Sequence, residues 1–321
     1  MTLSKQYWIK DRKTWSGGGS IVLSNFQQLE KVYPALLTVS DSRVDGTPLV
    51  LRNTVPVTQM LKGPFIVLPQ NSWAWTGKAS KDMYLIAKRA ALRITGDLSL
   101  NQCMGAIRLC NSIPPSRSGE DILLPNVLDK DFEAIYNGLG EKSKKSGTRV
   151  AYSFGGCIEY RDYPTLVSAV LESGDVEKLV VRTHIFSQQE YKKLLRMTEN
   201  SAKVEFRIGR LSREELLREA SDFDLIVFPS TAEASPLSLL EVQALGIPYC
   251  LSNIPGHIQH CEESFRQFEA GSIENLRVLF SNERIWSPDQ LSISTTSKGR
   301  IDARKEWSGR LVSYLCRFNR Y

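Results

Sequence analysis

The stretch Asp224-Leu-Ile-Val-Phe-Pro-Ser230, continuing Thr-Ala-Glu233-Ala-Ser-Pro236-Leu-Ser-Leu-Leu-Glu241 and Val-Gln-Ala-Leu-Gly246-Ile-Pro248, decides the fold. Leu225 to Phe228 is an unbroken apolar run stopped by Pro229, which marks a strand covered on both faces. Pro236 suits the first turn of a helix and Gly246 suits its end, so a helix is expected over 236–245. The loop between them then lies at the carboxyl end of a parallel strand, where open α/β sheets bind ligands. Unpaired amides from Ser235 to Ser238 and the positive end of the helix dipole make an anion site suited to a diphosphate. Glu233 precedes the helix and Glu241 falls in its second turn. One carboxylate can address a group beyond the phosphates and the other a diol.

The same alternation fills the second half of the chain. Strands are expected at 150–154, 178–182, 204–206, 224–228 and 249–251, with helices at 163–171, 188–197 and 213–220. Ser212-Arg213-Glu214-Glu215 is a capping box for the last of these helices. Strands apolar on both faces and alternating with helices predict a parallel sheet covered on both sides. Gly138 to Gly147 is polar and glycine-flanked, as a linker is. Upstream the pattern is less regular, with strands expected at 7–9, 35–39, 49–51, 65–68, 106–109 and 122–124, and helices at 21–32 and 81–94. The expected organisation is therefore α/β: an N-terminal Rossmann-like domain over 1–140, a linker at 141–148 and a C-terminal Rossmann-like domain over 149–300, followed by residues 301–321, which a family resemblance described below implies to be a final helix.

A chain of 321 residues accommodates two domains of about 150 residues each. It has 41 Lys and Arg against 35 Asp and Glu, a formal charge of +6. That excess suits an anionic substrate or membrane surface and is too small to indicate nucleic acid, for which no module signature is present. No apolar segment follows Lys5 and no apolar run reaches about 20 residues, so neither a signal peptide nor a spanning helix is expected. Cys103, Cys110, Cys157, Cys250, Cys261 and Cys316 are scattered without a C-x-x-C, the usage of buried free thiols in a reducing cytoplasm.

The segment around the two glutamates resembles glycosyltransferase family four, retaining enzymes of the GT-B fold, through that family's E-x7-E motif. Glu233, Leu237, Glu241, Ala244, Gly246 and Pro248 all stand in place. The resemblance implies a GT-B architecture: two Rossmann-like domains with parallel sheets, an interdomain cleft, and a final helix crossing back. It also implies that Glu241 binds the ribose hydroxyls of a nucleotide-sugar donor and that Glu233 contacts the donor sugar. Between them Ala234, Ser235, Pro236, Leu237 and Ser238 form the segment whose amides hold the phosphates.

A second motif agrees. Phe154-Gly155-Gly156-Cys157-Ile158-Glu159-Tyr160-Arg161-Asp162 is similar to the family's strand followed by Gly-Arg, four residues and Lys-Gly. Gly155 matches, and Arg161 occupies the lysine position at an expected helix start, where it can bind phosphate bidentately. Gly156 stands in place of the arginine and Asp162 in place of the last glycine. Val204 to Ser212 resembles the family's segment near the nucleotide base and brings Arg210 to the donor side. Leu124 to Asp129 resembles the stretch that ends the N-terminal domain, and Glu306 to Tyr314 resembles the final helix.

On the sugar and acceptor side, Gly17, Gly18 and Gly19 follow the first strand as the family's glycine loop does; they form a sugar or phosphate contact, or only a turn. No Lys-Ser or Lys-Thr follows them, so they are not a P-loop. Gln70 and Asn71 can hydrogen-bond a sugar, and Trp73 and Trp75 can stack on one or pack internally. Lys78 to Arg93 carries five cations against Asp82 with apolar residues between, which fits a peripheral helix on the inner face of an anionic membrane or a solvated face. His184 is read as lying just beyond a strand and His257 and His260 as loop or helix-start residues, with a substrate role left open. The implied reaction moves a sugar from a nucleotide-diphosphate sugar to a hydroxyl of a glycan or glycolipid, with retention, as in polysaccharide or glycolipid biosynthesis. Arg161 and Glu233 would be catalytic. Neither a cofactor nor a metal is expected, since Arg161 and a helix dipole supply the charge. An epimerase or phosphorylase on the same fold, and a non-catalytic subunit favoured by Gly156, remain as alternatives.

Overall fold

The computed structural model describes residues 7–10, 18–40, 47–50, 65–69, 83–139, 149–261, 263–287 and 297–318. They fall into two units by contact: Met1–Lys130 with Glu233–Leu237 and Arg300–Tyr321, and Asp131–Ala232 with Ser238–Gly299. Gly138 and Leu139 close a helix, and the remainder of the expected linker lies outside the described residues.

The first unit contains β1 (Tyr7–Lys10), α1 (Gly18–Val32), β2 (Leu37–Ser40), β3 (Thr47–Val50), β4 (Ile66–Val67), α2 (Met83–Gln102), β5 (Gly105–Arg108) and β6 (Asp121–Leu123). Its sheet runs β2-β1-β3-β4-β5-β6, with every pair parallel. Two differences from the expected pattern have local causes. Gly18 and Gly19 belong to the first turn of α1 rather than to a loop, because the buried stripe Val22, Leu23, Phe26 and Leu29 anchors a helix that extends upstream. Helix α2 runs past Ile94 to Gln102, because Leu100 is buried in the core and draws the last turns inward.

The terminal helix, Ser297–Arg317, packs on this unit from Arg300 onward. Tyr7 Oη donates to the Leu315 carbonyl at 2.9 Å, and Tyr314 Oη donates to the Glu120 carbonyl at 2.7 Å. Phe26 and Trp307 meet edge to face at 5.4 Å.

The second unit contains α3 (Asp131–Gly138), β7 (Val150–Cys157), α4 (Tyr163–Glu172), β8 (Lys178–Ile185), α5 (Gln188–Thr198), β9 (Val204–Ile208), α6 (Arg213–Ala220), β10 (Leu225–Phe228), α7 (Leu237–Ala244), β11 (Tyr249–Ser252), α8 (Pro255–Ile258), β12 (Gln267–Phe268) and α9 (Ile273–Phe280). The sheet order is β12-β11-β10-β7-β8-β9, again parallel throughout. The chain winds outward from the centre in both directions, which is the doubly wound order, and its topological switch point lies between β7 and β10. Every residue of β10 and β11 is buried, as their apolar sequences require. The core joins Leu166 and Val170 of α4 to Leu179, Leu225 and Val227 of the sheet and Leu276 of α9.

Strands β7 and β8 are longer than the sequence suggests because Gly155 and Gly156 stay in register with Thr183 and His184. The capping box of α6 forms as expected, with Ser212 and Glu215 each accepting from the other's backbone N–H. Gly246, at φ 61°, ends α7 in the left-handed conformation that a glycine enters freely. Helix α7 begins at Leu237, one residue after Pro236. Five of the six cysteines are buried and Cys316 is half-buried; all are free thiols.

Candidate functional site

The two segments singled out in the sequence leave the carboxyl ends of β7 and β10, the strands that flank the switch point. After β7 the chain makes a short 3-10 turn, Glu159–Arg161, and then enters α4. Arg161 therefore ends a turn ahead of the helix instead of opening the helix. Asp162 separates the two, at φ 49° and ψ 39°. An aspartate tolerates this left-handed conformation, which costs about 1–2 kcal/mol for most L-residues. Thr165 Oγ1 donates to its Oδ1 at 2.9 Å. Asp162 thus has a backbone conformation that glycine enters freely.

Gly155 has φ 137°, and a Cβ there would lie 3.2 Å from Arg161 Nε and 3.3 Å from its Cζ. The guanidinium is laid against the bare strand end. Arg161 Nη1 reaches Ser230 Oγ at 3.5 Å, and the Thr231 amide donates to the Tyr160 carbonyl at 2.8 Å, so the two loops are tied across the switch point. Behind them Ser252 Oγ donates to the Ser230 carbonyl at 2.5 Å. His257 Nδ1 lies 3.0 Å from both Ser252 Oγ and Ser252 O. His257 is wholly buried. Burial pushes its pKa down to about 3, the Arg161 charge and His260 add to this, and the bond to Ser252 opposes it. A neutral imidazole therefore braces the Pro-Ser turn.

In the loop that follows, Ala234, Ser235, Pro236 and Leu237 are buried, while Glu233 and Ser238 are half-buried. The Asn126 amide donates to Ser235 Oγ at 2.9 Å, and Asn126 Nδ2 donates to the Ser235 carbonyl at 2.8 Å. Asn126 was visible in the sequence as part of a family stretch, but its role as the clamp of this loop was not. Glu241 is 6% exposed, and Arg213 Nε donates to its Oε1 at 2.5 Å. The Arg213 guanidinium also lies 5.7 Å from the centre of the Phe132 ring. In the sequence Arg213 was only the second residue of a capping box. The available signal was its sign, since a cation in the first turn opposes the helix dipole and needs a carboxylate to hold it there.

The vacancy at Gly156 is filled. A Cβ at this position would fall inside the contact radius of Phe186 Cδ2 and Cε2 and 3.3 Å from His184 Nε2. His184 and Phe186 pack edge to face at 4.3 Å. The Arg210 guanidinium lies 5.9 Å from the centre of the other ring in the group, Phe186. Burial, then the charges of Arg210 and Arg161, hold the His184 pKa below its usual value. The structure thus gathers Gly155, Gly156, Arg161, His184, Phe186 and Arg210 at the ends of β7, β8 and β9. Gly17, Gln70, Asn71, Trp73, Trp75 and Lys78 to Asp82 lie outside the described residues. Among the described residues no helix is long and apolar enough to cross a membrane, and no cluster of three or more His, Cys, Asp or Glu is placed to hold a metal ion.

Residues 155–273 match the family model described as Glycosyl transferases group 1. No curated protein matches the sequence. Among solved structures, Anabaena HepE in complex with UDP and glucose superposes with a TM-score of 0.64 at 12% identity, covering 97% of this chain and 99% of that one. Sucrose-phosphate synthase from Thermosynechococcus elongatus superposes with a TM-score of 0.68 at 12% identity, covering 98% and 99%. At such identity the likeness establishes the fold, which is GT-B: two α/β domains with parallel sheets.

Proposed function

We propose that this protein transfers a sugar from a nucleoside-diphosphate sugar to an acceptor hydroxyl, with retention and without a metal. The observation that carries this reading is the convergence of Arg161 and the Ser230 loop at the switch point, inside the segment that matches group 1 glycosyl transferases. In this reading Arg161 and the amides at the start of α7 hold the diphosphate, Glu241 accepts the ribose hydroxyls, and Glu233 contacts the donor sugar. Catalysis is then mostly electrostatic: fixed donors stabilise the charge that grows on the leaving phosphate as the glycosidic bond breaks. The leaving phosphate accepts the proton of the attacking hydroxyl, and no side chain forms a covalent intermediate.

Anabaena HepE has been crystallised with UDP-glucose, which makes UDP-sugars the first donors to test. Thermal-shift titration with UDP-, GDP-, dTDP- and ADP-sugars, followed by detection of free nucleoside diphosphate on addition of glycan or glycolipid acceptors, tests the proposal. Stabilisation by one donor with release of its nucleoside diphosphate supports it; no stabilisation by any donor overturns it. Stabilisation without turnover supports the second reading, a binding subunit, which the missing side chain at Gly156 favours.

The acceptor side of the proposal includes peripheral attachment to an anionic membrane. Helix α2 exposes Ile86, Ile94 and Leu98 by 42%, 61% and 44% beside Lys88, Arg89 and Arg93, the mixture that lies at a lipid surface.

A further inference from the structure

We propose that Arg210, held beside Phe186, is the second cation of the diphosphate site and takes over the charge that Gly156 does not supply. This inference rests on the donor reading given above and names how that site is completed.

A nucleoside diphosphate leaves with its charge concentrated on the terminal phosphate, and one arginine offers two parallel donors to it. Arg161 is one such arginine, and it approaches over Gly155. The neighbouring position, Gly156, has no side chain, and the space above it belongs to the Phe186 ring. That ring is 61% exposed, an unusual place for a phenylalanine at the end of an interior strand. Its exposed position makes sense as a platform. Arg210 comes from the turn after β9, following Gly209 at φ 133°, and its guanidinium is held 5.9 Å from the ring centre. An arginine held near an aromatic face by a cation–π contact keeps its N–H donors free to meet an oxyanion.

The two arginines reach the same strand ends through a chain of contacts. Arg161 lies against Gly155, the Phe186 ring and His184 Nε2 lie over Gly156, and the Arg210 guanidinium lies 5.9 Å from the centre of that ring. Both cations therefore come to the ends of β7 and β8, where burial and then their charges lower the His184 pKa. The substitution of Gly156 and the presence of Phe186 are two halves of one arrangement. A side chain at 156 would displace the Phe186 ring from its present position, and with it the surface that Arg210 lies against. The cation has moved from a strand end to a neighbouring turn.

The test uses the full chain and calorimetric affinities for UDP, GDP, dTDP and ADP, each against the corresponding monophosphate. For the base that binds, Arg210→Ala should weaken diphosphate binding at least tenfold and monophosphate binding by less than threefold. Phe186→Ala should shift the same ratio in the same direction, because it removes the platform and leaves the charge. Gly156→Arg alone should give no gain. The combination Gly156→Arg, Phe186→Ala should recover diphosphate affinity in an Arg210→Ala background. Wild-type diphosphate affinity in folded Arg210→Ala overturns the assignment of Arg210 and leaves the donor reading standing. A wild-type protein that binds none of the four diphosphates overturns both. An equal loss for mono- and diphosphate overturns the assignment to the terminal phosphate.

Discussion

Arg213 Nε lies 2.5 Å from Glu241 Oε1, with 23% of the arginine side chain and 8% of the glutamate side chain exposed. The carboxylate proposed to receive a ribose is therefore held in place by a cation on another helix before any ligand arrives. Removing one member of a buried pair strands the charge of the other. Glu241→Ala should weaken donor binding by about 1.5–3 kcal/mol through loss of charged hydrogen bonds. Arg213→Ala should weaken it too, by misplacing the carboxylate. The double variant should lose less than the sum, which a calorimetric double-mutant cycle measures. Unchanged affinity in folded Glu241→Ala would remove the ribose assignment.

Arg161 should act mainly on the chemical step. Arg161→Ala should lower kcat by about 10²–10³, the usual effect of removing one preorganised donor, with a smaller change in KM. Arg161→Lys should keep much of the activity, since a point charge at the same place still meets the phosphate. A wild-type kcat in Arg161→Ala with a confirmed donor would show that another cation carries the leaving group.

His257 gives the fold a pH dependence of known sign. Its folded pKa of about 3 lies below the ordinary 6.5, so the unfolded chain takes up a proton that the folded chain refuses. The stability it contributes is present above pH 6.5 and is lost as pH falls from there toward 3. Urea unfolding at pH 7.5 and pH 5 should show this loss, and His257→Gln should reduce the difference between the two. An identical pH dependence in the variant would count against it.

Glu219 acts at lower pH. Burial tends to raise its pKa, but hydrogen bonds from Arg182, Arg207 and Tyr152 outweigh that and bring it down from 4.5 to about 2. Arg182 grips it with two bonds, Nε at 2.8 Å and Nη2 at 2.7 Å. Arg207 Nη1 adds a bond at 2.7 Å and Tyr152 Oη one at 2.9 Å. A depressed carboxylate stabilises above its unfolded pKa, so this contribution disappears as pH falls from 4.5 to 2. Glu219→Ala removes the bidentate partner of Arg182, while Arg207 keeps its pair with Glu205, and should cost about 1.5–3 kcal/mol at neutral pH. Denaturant midpoints of the wild type and variant should converge as pH approaches 2; a constant gap would refute this account.

Liposome flotation decides the membrane proposal. Binding to vesicles with anionic lipid and not to neutral ones is expected, and Ile94→Asp should abolish it. Equal, negligible binding to both vesicle types would leave a soluble acceptor.

The sequence by itself determined the alternating strands and helices of the second unit and where the segments after β7 and β10 begin. Leu225 to Phe228, the Ser212 capping box and Gly246 are local signals, and each works through the backbone of its own neighbourhood. Only the tertiary structure decided which side chains surround these segments. Gly156 reads as a loss along the chain, because the ring and the cation beside it come from Phe186, after β8, and Arg210, after β9. Glu241 reads as a lone carboxylate, because Arg213 is 28 residues away and meets it through helix packing. Asp162 reads as a departure from the family's glycine, although its backbone takes a left-handed conformation that glycine enters freely. Side-chain convergence of this kind depends on which strands lie side by side. In a parallel sheet the neighbours are set by crossover helices rather than by adjacent sequence, so residue spacing carries no record of them.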